Sequence, residues 1–117
     1  MGRPSAAGAV VLVRFPFSDL SRTKLRPAVA IAAVGRGDWI LCQVTSNPYG
    51  DATAFQLREE SWAAGTLRVT SYARPGKLFT ANDQIFARDV GMLRGAALAA
   101  LVEAIVKLLR SPTPEPR

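Results

Sequence analysis

The chain has 117 residues, 49% of them apolar, a net charge of +6, a single cysteine and no histidine. It is long enough for one modest core and too apolar for a disordered chain, and its charge suits an anionic partner such as nucleic acid or an acidic protein. One cysteine excludes an internal disulfide and a cysteine-built metal site, and the missing histidine removes the commonest general base and zinc ligand.

Val10 to Phe15, rich in β-branched residues, predicts a first strand, and the Pro, Ser, Asp and Thr punctuation of Pro16 to Leu25 predicts a loop. Pro27 lacks an N–H and suits a strand start, so Ala28 to Val34 reads as the second strand. Gly35-Arg36-Gly37-Asp38 supplies the positive-φ residues of a tight hairpin, and Trp39 to Thr45 then returns as the third strand. There Ile40, Cys42 and Val44 share one face, and Trp39, Leu41, Gln43 and Thr45 the other. Cys42, in the middle of this run, reads as a buried core thiol. After the break at Asn47-Pro48-Tyr49-Gly50-Asp51, short strands are expected around Ala54–Leu57, Thr66–Ser71, Ala73–Phe79 and Gln84–Val90. From Arg94 the period changes. Leu98, Leu101, Val102, Ile105, Leu108 and Leu109 fall at helical spacing, with Lys107 and Arg110 in the last turn, where cations favour the negative end of the dipole.

Six or seven short strands and one helix predict a mainly β fold, a small bent barrel or sandwich with a C-terminal α-helix. The expected organisation is a single domain over residues 1–110 and a Pro-rich, frayed tail over 111–117. The apolar stretches before Arg14 and from Ala96 to Leu109 fit neither a cleaved signal nor a membrane span, and no disulfide framework is possible, so a soluble cytoplasmic protein is expected.

If the second and third strands are antiparallel neighbours, Arg26 at the start of one lies beside Thr45 at the end of the other. A guanidinium and a hydroxyl at one sheet edge suit work on a phosphate. The alternatives are a solvated edge arginine and a threonine that caps a turn. Basic residues are gathered unevenly: six against the single Asp19 between Arg3 and Arg36, and Arg68, Arg74 and Lys77 without an acid between Ser61 and Asn82.

Three blocks, Val11-Leu12-Val13-Arg14-Phe15-Pro16-Phe17-Ser18-Asp19-Leu20, Leu25-Arg26-Pro27-Ala28-Val29 and Gln43-Val44-Thr45-Ser46-Asn47, supported by Lys77-Leu78-Phe79-Thr80, resemble the MazF/PemK-like toxins of type II toxin–antitoxin systems in order and spacing. The resemblance runs from about Gly8 to Leu109. Gly8-Ala9 and Gly76 depart from it, standing where the family often has an acidic residue. It implies an SH3-like β-barrel, a homodimer, and endoribonuclease action on single-stranded RNA that needs no metal or cofactor. It further implies a cognate acidic antitoxin that neutralises the toxin, and an antitoxin-mediated complex on operator DNA. Arg26 and Thr45 occupy the family's catalytic positions.

The implied chemistry is attack of a ribose 2′-hydroxyl on the adjacent phosphorus, leaving a 2′,3′-cyclic phosphate and a 5′-hydroxyl. Arg26 would fork onto the non-bridging oxygens and Thr45 would orient the phosphate. A guanidinium holds its proton too tightly for an easy base, so the proton acceptor and donor are left open. Arg22 and Lys24, on the loop leading to Arg26, together with Ser46, Asn47, Arg74 and Lys77, are candidates for RNA contact. Phe17, Trp39, Tyr49 and Trp62 are candidates for base stacking, with core or dimer packing preferred for the first two. The rival readings are a non-catalytic nucleic-acid-binding barrel and a module for acidic peptides.

Overall fold

The computed structural model describes residues 4–16 and 23–111. The strands are β1 (Ala9–Pro16), β2 (Thr23–Gly35), β3 (Asp38–Thr45), β4 (Phe55–Leu57), β5 (Trp62–Gly65), β6 (Ser71–Asn82) and β7 (Phe86–Leu93), followed by helix α1 (Gly95–Arg110). They form one antiparallel sheet in the order β4-β6-β3-β2-β1-β7-β5. Its two edge strands, β4 and β5, are consecutive in the chain and joined by a 3-10 turn at Glu59–Ser61. From Leu57 to Trp62 the chain reaches at most about 18 Å. Edge to edge, a flat seven-stranded sheet would measure about 29 Å. The sheet therefore has to curl, and the result is the expected mainly β, barrel-like fold with a C-terminal helix.

The central strands are buried on both faces. Val10, Val29, Cys42, Val44, Leu57, Trp62 and Ala73 form one cluster, against which α1 places Leu101 and Ile105. Ala9, Val11, Val13, Ala28, Ala30, Leu41, Ala81 and Phe86 form a second cluster, flanked by Trp39, Phe79 and Met92. The odd and even positions of β1 and β2 divide between these clusters, which is why the runs carry no polar alternation. The β3 residues divide likewise, Cys42 and Val44 against Leu41 and Trp39, as the sequence predicts.

The β2–β3 hairpin closes through Gly35 paired with Asp38, leaving Arg36 and Gly37 as a two-residue turn with φ of 57° and 81°. Positive φ at both positions matches the twist of the strands. Asn82 fastens the turn, its amide donating to the Arg36 carbonyl at 3.2 Å and to Asp38 Oδ1 at 3.0 Å.

Several boundaries differ from the sequence reading. β2 begins at Thr23, because Pro16 and Phe15 pair with Thr23 and Lys24 and extend the hairpin into the predicted loop. Of the run Thr66–Ser71 only Ser71 is in a strand, as the first residue of β6. Pairing falls instead at Trp62–Gly65, where burial of Trp62 and its close approach to Gly91 override the low β propensity of Ala63, Ala64 and Gly65. β6 continues to Asn82, with a bulge: Ala73 faces Val44, Leu78 faces Cys42, and Arg74 to Lys77 lie between. A bulge accommodates Pro75, which has no ladder donor. Asn82 then accepts from the Gln84 N–H and caps a 3-10 turn, so β7 starts at Phe86. Leu109, counted in the apolar stripe, is 72% exposed at the helix end. No helix among the described residues is long and apolar enough to cross a membrane.

Candidate active site

Arg26 lies on β2 opposite Val13 of β1. Continuing the pairing of Ala30 with Leu41, Val29 with Cys42 and Ala28 with Gln43 places Arg26 opposite Thr45. Opposed antiparallel residues share a face, with Cβ atoms about 4.5–5.5 Å apart. That face is the one carrying Val13, Ala28 and Leu41, opposite to the helix-covered cluster. Thr45 in turn pairs with Tyr72 of β6, and Tyr72 with Gln56 of β4. Arg26, Thr45, Tyr72 and Gln56 thus make a row across four strands, each half-buried. Lys24, two residues before Arg26 on β2, falls on the same face and is exposed.

The Thr45 hydroxyl also builds the following turn. It donates to the Asn47 carbonyl and accepts from the Asn47 N–H, both at 3.1 Å. Asn47 Oδ1 accepts from the Tyr49 N–H at 3.0 Å, which helps hold Tyr49 at φ 52°. The turn-capping alternative for Thr45 is therefore realised, while Thr45 also lines one hollow with Arg26. Further along, Asp51 accepts from the Thr53 N–H at 2.9 Å, the Thr53 hydroxyl at 2.6 Å and Arg74 Nε at 2.8 Å. These bonds, those from Thr53 foremost, hold the Asp51 carboxyl down to about 2, and they tie the β3–β4 connection to β6.

The remaining predicted contacts divide between this site and other surfaces. Arg74 is ion-paired with Asp51, and Lys77 is exposed on the β6 bulge without a register partner. Ser46 lines a hollow of about 260 Å³ together with Arg26 and Thr45, and its walls include Leu12, Leu25, Pro27, Val44 and Leu67. Val44 and Leu67 of this lining belong to the helix-covered cluster, and Arg68 is a second arginine of the same hollow. Neither Arg74 nor Lys77 lines it. Arg22 and Phe17 lie outside the described residues, as do residues 112–117 of the tail. Trp62, 8% exposed in the first cluster, is a core residue and no stacking platform; Trp39 packs on the second cluster; Tyr49 is 80% exposed.

Cys42 donates through its thiol to the Arg74 carbonyl at 3.2 Å, and burial pushes it up to about 12, which fits a core thiol. Among the described residues no three Cys, Asp or Glu side chains gather where they could hold a metal ion. Tyr72 and Gln56 escaped the sequence reading. Tyr72 fell in the gap between two predicted strands, and its place beside Thr45 depends on the β3–β6 register, which no turn motif announces.

No family model and no curated protein matches the chain. Solved structures do. The MazE–MazF complex of Deinococcus radiodurans superposes with a TM-score of 0.71 at 18% identity, over 88% of this chain and 93% of that one. An endoribonuclease in complex with its cognate antitoxin, from a mycobacterial species, gives 0.67 at 16% identity over 97% and 100%. The Mycobacterium tuberculosis toxin MazF-mt6 gives 0.62 at 18% identity over 85% and 95%. With its curled seven-stranded sheet and C-terminal helix, the chain has the fold of the MazF toxins.

Proposed function

We propose that this chain is a MazF-like toxin. It is a metal-independent endoribonuclease that cleaves single-stranded RNA at specific sequences, acts in the cytoplasm as a homodimer, and is neutralised by an acidic antitoxin. The observation that supports this most is that Arg26 and Thr45, on the neighbouring strands β2 and β3, line one hollow within a fold shared with named endoribonucleases. In the reaction the 2′-oxygen bonds to phosphorus, the bond from phosphorus to the 5′-oxygen breaks, one proton leaves the 2′-oxygen and one reaches the 5′-oxygen. Arg26 forks onto the non-bridging oxygens and offsets the charge that builds on the phosphorane. Thr45 donates its hydroxyl to the phosphate, exchanging its bond to the Asn47 carbonyl for one to a charged oxygen while keeping the bond from the Asn47 N–H. Lys24, on the same face, offers a second cation to the RNA backbone. The basic surface equally suits an acidic antitoxin segment.

The test is incubation of purified protein with a single-stranded RNA library in EDTA, followed by end mapping. Cyclic phosphate and 5′-hydroxyl ends at a defined sequence are the expected result. RNA binding with a steep salt dependence and no cleavage would make the chain a non-catalytic binding barrel, a role compatible with the turn bonds of Thr45. Capture of an acidic peptide without RNA affinity would make it an interaction module.

A further inference from the structure

Past Thr45 the same face continues onto β6 and β4. Val44, Ala73, Phe55 and Leu57 turn to the helix-covered cluster, so Thr45, Tyr72 and Gln56 present their side chains together on the other side. Tyr72 is half-exposed while its neighbours Ser71 and Ala73 are buried. Gln56 sits on a three-residue edge strand, so it ends the row next to solvent. The row from Arg26 to Gln56 spans three strand spacings, about 14 Å. The bonds of Asp51 to Thr53 and Arg74 hold the connection beside it in place.

We propose that Tyr72 is the stacking platform for the base adjoining the scissile phosphate, and that Gln56 reads the edge of that base. The proposal rests on the endoribonuclease reading and adds to it the pair of residues that sets nucleotide preference. A strand of RNA whose phosphate is held by Arg26 and Thr45 and which runs across the sheet brings its next base over β6. A phenol ring offers a flat apolar face to any base, and single-stranded RNA is recognised by such stacking combined with hydrogen bonds to exposed base edges. The Gln56 carboxamide carries donors and an acceptor on one plane, the set that pairs with a base edge presenting both.

The test compares Tyr72→Phe, Tyr72→Leu, Tyr72→Ala and Gln56→Ala in steady-state cleavage, with a thermal melt of each. A second arm measures quenching of 2-aminopurine, placed in turn at each position of a 2′-deoxy oligonucleotide that cannot be cleaved. Tyr72→Phe should stay within about twofold of the wild type. Tyr72→Leu and Tyr72→Ala should raise KM roughly 10- to 100-fold with kcat little changed, and abolish quenching at one position. Gln56→Ala should flatten base preference at that same position. Equal impairment of Tyr72→Phe and Tyr72→Leu, wild-type quenching in Tyr72→Leu, or an unchanged preference in Gln56→Ala would overturn the proposal. The quenching arm needs no turnover. Tyr72-dependent quenching without cleavage by the wild type would refute the enzyme and support the stack, whereas cleavage indifferent to Tyr72 and Gln56 would refute the stack alone.

Discussion

Thr45→Val separates the two roles that the structure gives one hydroxyl. The substitution keeps the β-branched shape and removes two exposed hydrogen bonds of 3.1 Å, to the Asn47 carbonyl and from the Asn47 N–H. At the low end of the usual net value, the pair is worth about 1 kcal/mol, or a fall of roughly 4–5 °C in Tm. A hydrogen bond to a charged phosphate oxygen is worth about 1.5–3 kcal/mol, so loss of that contact slows cleavage roughly 10- to 150-fold. The two effects differ enough to be told apart at 25 °C, where the variant stays folded. Single-turnover cleavage and a thermal melt are measured on the wild type, Thr45→Val and Thr45→Ser. Thr53→Val, which removes a bond of 2.6 Å in the same connection without touching Thr45, serves as the control for a loosened loop. Thr45→Ser should recover both properties, and Thr53→Val should lower Tm with little effect on rate. A Thr45→Val protein with a lowered Tm and a cleavage rate within twofold of the wild type would confine Thr45 to the turn.

The Asp51 carboxyl should titrate at about 2 rather than 3.8 when followed by carbon-13 NMR, and Thr53→Val and Arg74→Met should each raise its midpoint, since the Thr53 hydroxyl and the Arg74 guanidinium both hold it down. Because this pKa is depressed on folding, the stability it contributes is present above about 3.8 and lost as the pH falls through about 2; a midpoint near 3.8 in the wild type would disprove the clamp. Gly91→Ala should destabilise the protein by about 1–3 kcal/mol in denaturant titrations. Its Cβ would stand 2.7 Å from Trp62 Cζ3 and 2.9 Å from the Ala64 carbonyl, inside the approach that lets β5 pair with β7; an unchanged midpoint would show that this edge yields freely.

The tight turn made it legible that the start of β2 lies beside the end of β3, but it did not give the register. Counted from Gly35 opposite Asp38, Thr45 would face Ala28, and two register shifts, between Ala30 and Ala32 and between Ala33 and Gly35, bring it opposite Arg26 instead. Helix α1 was plain from its period, and failed only at Leu109, which is exposed in the last turn. Strand β5 was not legible. Thr66 to Thr70 have the better β propensity but lie largely exposed, whereas Trp62 is drawn into the core and Gly91 admits its ring. The ion pair of Arg74 with Asp51 joins residues 23 apart across a bulge, and the alignment of Tyr72 with Thr45 follows from pairing between strands distant in sequence. Such contacts are products of tertiary register, and no local pattern encodes them.

The most direct test of the central claim is the single-turnover cleavage rate of Arg26→Ala on an RNA that the wild type cuts, measured in EDTA beside a thermal melt. Removal of a preorganised charge stabiliser should slow the chemical step roughly 100- to 1,000-fold, with the fold intact. A folded Arg26→Ala protein that cleaves at the wild-type rate would contradict the account.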